Sequence, residues 1–267
     1  AKLALETRAR GKLDTSAVIA RYEEVTRLDP GEHWDWVELG RLYADAGRLG
    51  DAKIAGQQAA TTAADDSDRS TALDALGNVL VAQGDLAAAR RLYQASIEID
   101  KRLAAVDPSS AAFQRYVSVS LEKLGDVLVA QGDLAAARRL YQESHDIRTR
   151  LAAADPSSAA RQSDVSISLE RAGDVLVAQG DLAAARRLYQ ESLEIAKRLA
   201  AADPSSAARQ RDAWSSMWRL TRFPDSGITW QQVVSVMEDM HRRGVLAPPD
   251  VRYLEDARRQ AAAGATR

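Results

Sequence analysis

The sequence predicts an all-α protein built as an array of stacked antiparallel helical hairpins, and three observations carry that prediction. A long block repeats nearly letter for letter at a fixed period, which is the signature of a repeat architecture. Apolar residues within each block recur at helical spacing, as at Leu121, Leu124 and Leu128. The composition is 46% hydrophobic but only 5% aromatic, so most apolar content is Ala, Leu and Val, the residues of close-packed helices. In such an array each unit contacts only its neighbours, so a length of 267 residues does not count compact domains.

The repeat is clearest in the middle of the chain. Gly125 to Ser144 reads GDVLVAQGDLAAARRLYQES, Gly173 to Ser192 is identical, and Gly77 to Ser96 differs only at Asn78 and Ala95; the period is 132 − 84 = 180 − 132 = 48. Within each block a Gly-Asp pair, such as Gly132-Asp133, separates two helical stretches. Glycine suits the left-handed conformation that ends a helix, and aspartate accepts hydrogen bonds from the free N–H groups that open the next. Asp107-Pro108-Ser109-Ser110, with copies at Asp155 and Asp203, closes the second helix and opens the following unit, and proline is expected in the first helical turn there. Gly77, Gly125 and Gly173, with Ala89, Ala137 and Ala185, are expected to let helices approach closely while Tyr93, Tyr141 and Tyr189 fill the larger gaps.

Upstream, Trp36-x2-Leu39-Gly40-x2-Tyr43 followed by Gly47 and Ala52, and Val18-x3-Tyr22 leading to Pro30, form a shorter unit and the second helix of a partial one. These residues resemble the tetratricopeptide repeat. The later units keep the small residues but begin Leu73-x2-Leu76-Gly77-x2-Leu80, and the short unit has Gly56 where the family pattern has an aromatic. The resemblance implies a right-handed α-α superhelix. From Tyr22 to Pro30 is 8 residues and from Tyr93 to Pro108 is 15; from Pro30 to Trp36 is 6 and from Pro108 to Leu121 is 13. Each helix of a long unit is therefore seven residues longer, close to two turns, which lengthens it by about 10 Å without much rotation of its buried face and so deepens the groove. Such units resemble those of kinesin light chains and of bacterial arrays joined to signalling or defence effector domains.

The expected layout is a partial and a short unit over 1–65, three long units over 66–205, and a degenerate repeat with capping helices over 206–267. Trp214, Met217 and Trp218 replace smaller residues at the start of the last segment, Val233, Val236, Met237 and Met240 form a helical stripe, and Pro248-Pro249-Asp250 introduces a final helix to about Ala263. The five tryptophans, Trp34, Trp36, Trp214, Trp218 and Trp230, are expected to pack the two ends.

In tetratricopeptide arrays the first helix of each unit lines the concave face. The resemblance therefore implies a partner-binding groove with Asp74, Glu122 and Glu170 in one row, Asn78, Asp126 and Asp174 one turn further, and Ala75, Lys123 and Arg171 beside them. Such a polar ladder suits a polar or charged protein or peptide segment. The competing reading is a solvated face of paired charges, each pair contributing about 0.2 to 1 kcal/mol. The arginine pairs Arg90-Arg91, Arg138-Arg139 and Arg186-Arg187 also recur every 48 residues, but Glu143 and Glu191 follow Arg139 and Arg187 at helical spacing. With 36 Lys and Arg against 38 Asp and Glu, the net charge of −2 argues against a nucleic-acid or anionic membrane partner.

No cysteine is present, so disulfides, thiolate metal sites and cysteine nucleophiles are excluded. His33, His145 and His241 fall in different units, and no catalytic triad, phosphate loop, metal-ligand spacing or cofactor motif stands out. The expectation is a cytoplasmic, bacterial, non-enzymatic scaffold without cofactor or metal. The alternative is the sensing or regulatory part of a larger effector carrying a protease-like, nuclease or Toll/interleukin receptor domain, since the sequence begins without Met. The half unit at the N-terminus would leave a stacking face for self-association.

Overall fold

The computed structural model describes residues 14–265. Its helices are α1 (Thr15–Leu28), α2 (His33–Asp45), α3 (Leu49–Thr62), α4 (Asp66–Ala82), α5 (Leu86–Val106), α6 (Ala111–Ala130), α7 (Leu134–Ala154), α8 (Ala159–Ala178), α9 (Leu182–Ala202), α10 (Ala207–Leu220), α11 (Trp230–Arg242) and α12 (Val251–Ala265), and no strand occurs among the described residues. Two short 3-10 turns, Pro224–Ser226 and Pro248–Asp250, precede the last two helices. The chain divides into two compact units, one ending at Leu140 and one beginning at Tyr141. Part of the expected N-terminal half unit, and with it the face expected to self-associate, lies outside the described residues.

Local chemistry sets the helix ends. Gly47, Gly84, Gly132 and Gly180 have φ between 76° and 84°, which glycine alone adopts without strain, and each ends a first helix. Asp85, Asp133 and Asp181 then accept hydrogen bonds from Ala88, Ala136 and Ala184 N–H at 3.0, 3.1 and 3.1 Å. Ser110, Ser158 and Ser206 cap the following first helices in the same way. Pro108 is not in a first helical turn: it lies in the turn before α6, which opens at Ala111 after the Ser110 cap. The serine cap supplies the acceptor that the turn needs, so the proline serves only to end α5.

The seven-residue extension is visible in helix length. α2 and α3 have 13 and 14 residues, whereas α8 and α9 have 20 and 21. In the first unit successive helices pack as antiparallel neighbours and α2 also touches α4; in the second, α8 touches α10 in the same way. First helices therefore lie side by side.

Close approach depends on glycine facing tyrosine. A Cβ added at Gly77 would stand 2.5 Å from Tyr93 Cε1, and one at Gly173 would stand 2.5 Å from Tyr189 Cε1, inside van der Waals contact. In the second unit, Tyr189, Leu193, Trp214, Met217 and Leu220 continue into Phe223, Val233, Met237, Met240 and Leu254 as one core, so α10 to α12 bury their apolar stripes together. Trp218 stacks edge-on against Trp230 at 4.7 Å and Tyr253 at 5.7 Å. Trp34 departs from expectation: it is 53% exposed and buries no end, while Trp36 donates its indole N–H to Pro30 O at 2.9 Å. His33, its helical neighbour, takes the buried position instead.

Candidate functional site

The first-helix faces carry the candidate site, and they are built from two kinds of polar residue. Asp74, Glu122 and Glu170 are each only 8% exposed, so the inner acidic row is buried. Asn78 and Asp126, one turn further, are exposed, and Asp174, Lys123 and Arg171 are half-buried.

In the first unit Lys123 of α6 reaches back to α4, where its Nζ lies 2.8 Å from Asp74 Oδ2; Ser120 also donates to that oxygen at 3.3 Å. Asn78 accepts from the Tyr93 hydroxyl at 2.7 Å, and Lys123 Nζ stands 5.9 Å from the Tyr93 ring centre. Asp126 lines a small cavity of about 170 Å³ with Tyr93 and Lys123. A larger one, about 500 Å³, opens between α2, α4 and α6.

The second unit repeats the scheme with stronger partners. Arg219 of α10 places Nη1 3.1 Å from Glu170 Oε2, and donates Nε and Nη2 to the two oxygens of Asp174 at 3.0 and 3.1 Å. Ser216 and Ser215 donate to Glu170, and the Tyr189 hydroxyl donates to Asp174 at 2.6 Å. Burial pushes the Glu170 carboxyl above the usual range, opposed by the Arg219 charge and the Ser216 hydrogen bond. Arg171 lines a cavity of about 500 Å³ with Trp214, Trp218, Arg222 and Tyr253.

Arg219 is the residue that sequence reading missed. Its signal was present, since 171 − 123 = 219 − 171 = 48, so the basic column continues into the degenerate repeat. A second missed feature is a row of buried serines behind the acids. Ser70 and Ser96 meet at 2.8 Å, Ser96 and Ser120 at 3.3 Å, and in the other unit Ser166, Ser192 and Ser216 meet at 2.8 and 3.0 Å. These also recur at 48, as Ser96 and Ser192 show across two periods. Small hydroxyls satisfy one another where long polar side chains would not fit.

Asp100, fully buried, ends the serine row of the first unit, accepting from Ser70 and, at 2.7 Å, from Ser120. Burial raises its carboxyl above the ordinary range, against the pull of those two hydrogen bonds. The folded state then holds the proton more tightly than the unfolded chain, so this residue's contribution to stability is present at low pH and lost as pH rises through the folded value. Asp100→Asn removes the titration. Its thermal midpoint relative to wild type is expected to climb as pH rises above the ordinary carboxylate range; parallel midpoint curves for the two proteins would contradict this.

Lys123 with Asp74, and Arg219 with Glu170 and Asp174, are thus held in fixed ion pairs between neighbouring first helices. Among the described residues no group of three or more His, Asp or Glu is placed to hold a metal ion, and no helix is long and apolar enough to cross a membrane.

Residues 69–106 and 116–198 each match a sequence profile of the tetratricopeptide repeat. These stretches of the chain are tetratricopeptide repeats. None of the curated protein sequences matches the chain. Among solved structures the array is similar to BtubC (BKLC) from P. vanneervenii, at 14% identity and TM-score 0.60 over 85% of this chain and 87% of that one. It is also similar to a protein designated a kinesin light chain from Podosopora anserina with nearly identical repeats, at 19% identity and TM-score 0.58 over 80% and 98%. The apo form of RapI gives 13% identity and TM-score 0.60 over 97% and 96%. At these identities the likeness is one of fold, and it bears out the all-α array of hairpins expected from the repeat. Tetratricopeptide arrays are protein-interaction scaffolds in general, and the present array has that architecture.

Proposed function

We propose that the array is a non-enzymatic scaffold that binds a polar or charged polypeptide segment along its first-helix face. The supporting observation is that each compact unit opens a cavity of about 500 Å³ on that face: the first is walled mainly by apolar side chains with charge at its rim, and the second is lined mostly by charged residues of both signs around Trp214, Trp218 and Tyr253. Mixed charge on fixed side chains selects a segment by hydrogen bonding and register, while the apolar wall of the first cavity and the aromatic rings of the second add buried contact area. Asn78, Asp126 and Arg171 carry the accessible polar contacts; Asp74, Glu122 and Glu170 are buried and act by holding the rim in place.

A selection of displayed random 12-residue peptides on the immobilised full chain tests the reading. Selected peptides are expected to lose at least about tenfold in affinity, or 1.4 kcal/mol, when Asp126→Arg and Arg171→Glu reverse the groove charges. The outer-face reversal Glu98→Lys should leave them bound. A selection that yields no binder, or binders indifferent to the groove variant, counts against the proposal.

A further inference from the structure

The large cavity of the first unit exists because two side chains that close the same space in the copies are missing. The spacing 56 − 40 = 93 − 77 = 189 − 173 = 16 makes Gly56 the counterpart of Tyr93 and Tyr189. Those rings lie against Gly77 and Gly173. At Gly40 no ring is present: the nearest atoms to an added Cβ would be Ala52 O at 3.4 Å, Ala55 Cβ at 3.5 Å and Gly56 N at 3.6 Å. Likewise 123 − 75 = 171 − 123 = 48, so Ala75 stands where the copies have Lys123, Arg171 and Arg219. In the next unit along, Lys123 and Tyr93 together leave a space of about 170 Å³; with Ala75 and Gly56 the cavity is about 500 Å³.

Gly40, Ala52, Gly56, Ala75 and Val79 all line this cavity, so its floor is apolar and made of small residues. A side chain at position 56 would meet Leu76 Cδ1 at 3.0 Å, so the chain itself cannot easily refill the space from beneath. It is open from the groove, through Ala75, which is only half-buried. A second observation points to an occupant. Asp74 lines the same cavity, is buried, and while Oδ2 accepts from Lys123 and Ser120, Oδ1 has no hydrogen-bond partner. A buried acceptor without a donor is unfavourable unless something supplies one.

We infer that this cavity takes an aromatic side chain, phenylalanine or tyrosine, from the bound polypeptide segment, whose neighbouring N–H group supplies the donor that Asp74 lacks. The ring replaces in trans the tyrosine that every long unit provides for itself, and it anchors the segment at the N-terminal end of the groove. This deepens the scaffold reading and rests on it, but its test does not depend on the peptide selection.

The test uses N-acetyl-phenylalanine amide, N-acetyl-tyrosine amide and N-acetyl-leucine amide as probes, titrated into the isotope-labelled full chain and followed by amide chemical shifts. Both aromatic probes are expected to shift the Gly40, Gly56 and Ala75 signals and to bind about tenfold more tightly than the leucine probe. Ala75→Trp fills the entrance and should abolish these shifts. Position 75 tolerates long side chains, since its copies are Lys123, Arg171 and Arg219; Ala75→Lys, which restores the residue of the next unit, is the second filling variant and should weaken binding as well. Equal affinity for leucine, shifts mapping elsewhere, no binding at millimolar probe, or filled variants that bind as wild type would each overturn the inference. Failure of this test with success of the peptide selection would leave the scaffold standing without its aromatic anchor.

Discussion

Tyr189→Ala is expected to destabilise the second unit by about 3–5 kcal/mol, the usual range for removing a buried large aromatic side chain. Tyr189 is fully buried, its ring lies 6.0 Å from that of Phe223, and its hydroxyl donates to Asp174. The lost atoms cannot be replaced by collapse, because the ring is the spacer that holds α9 off α8 at Gly173. The complementary change, Gly173→Ala, would ordinarily gain up to about 1 kcal/mol in helix propensity. Here the new Cβ would stand 2.5 Å from Tyr189 Cε1, so the substitution is expected to cost about 1–3 kcal/mol instead. Combining Gly173→Ala with Tyr189→Leu gives the methyl somewhere to go, and the two changes should couple favourably by about 1 kcal/mol or more. Urea unfolding followed by circular dichroism measures Tyr189→Ala and the four members of the cycle: wild type, Gly173→Ala, Tyr189→Leu and the double variant. Strict additivity would mean that the glycine and the tyrosine are independent, and that the close-approach account of the repeat is mistaken.

That glycine–tyrosine pairing was legible because the repeat printed it several times at one spacing, and so were the Gly-Asp punctuation and the two-turn lengthening. Helix periodicity and capping are local properties, and a 48-residue period multiplies each local signal. The groove was harder to read. Asp74, Glu122 and Glu170 look like accessible acids in a list of polar positions, yet all three are buried. What covers Asp74 and Glu170 is the neighbouring first helix, whose Lys123 or Arg219 arrives from 49 residues away in sequence: 123 − 74 = 219 − 170 = 49. Pairing at that distance is a tertiary fact with no local trace. Trp34 misled for the opposite reason, since its size predicts burial but its position on α2 leaves it exposed. The large cavity of the first unit was marked in the sequence by Gly56, but a missing ring becomes a cavity only once the surrounding helices have been placed.

Arg219→Met is expected to cost about 3–5 kcal/mol, because it strands a buried carboxylate instead of merely deleting a surface charge. The Arg219 side chain is 22% exposed and that of Glu170 11% exposed, so water cannot substitute for the guanidinium. Ser216 and Ser215 still donate to Glu170, but hydroxyl dipoles do not replace a full charge. The pH dependence has a definite sign. Burial already raises the Glu170 carboxyl, and removing the Arg219 charge that opposes this raises it further. The variant therefore loses most stability where the carboxylate must ionise, and recovers part of it as pH falls and Glu170 takes up a proton. Glu170→Gln in the Arg219→Met background removes that ionisation and should recover most of the loss at neutral pH. An Arg219→Met penalty that is the same at pH 5 and pH 8, and the same with Glu170 or with Glu170→Gln, would show that Arg219 acts through its contacts with Asp174 and Ser215 alone. With Glu170 as the cause, the degenerate last repeat is held to the array by an ion pair at the same 49-residue spacing as Asp74 and Lys123. The column of basic residues is then a tie between successive first helices, and the accessible groove chemistry falls to Asn78, Asp126 and Arg171.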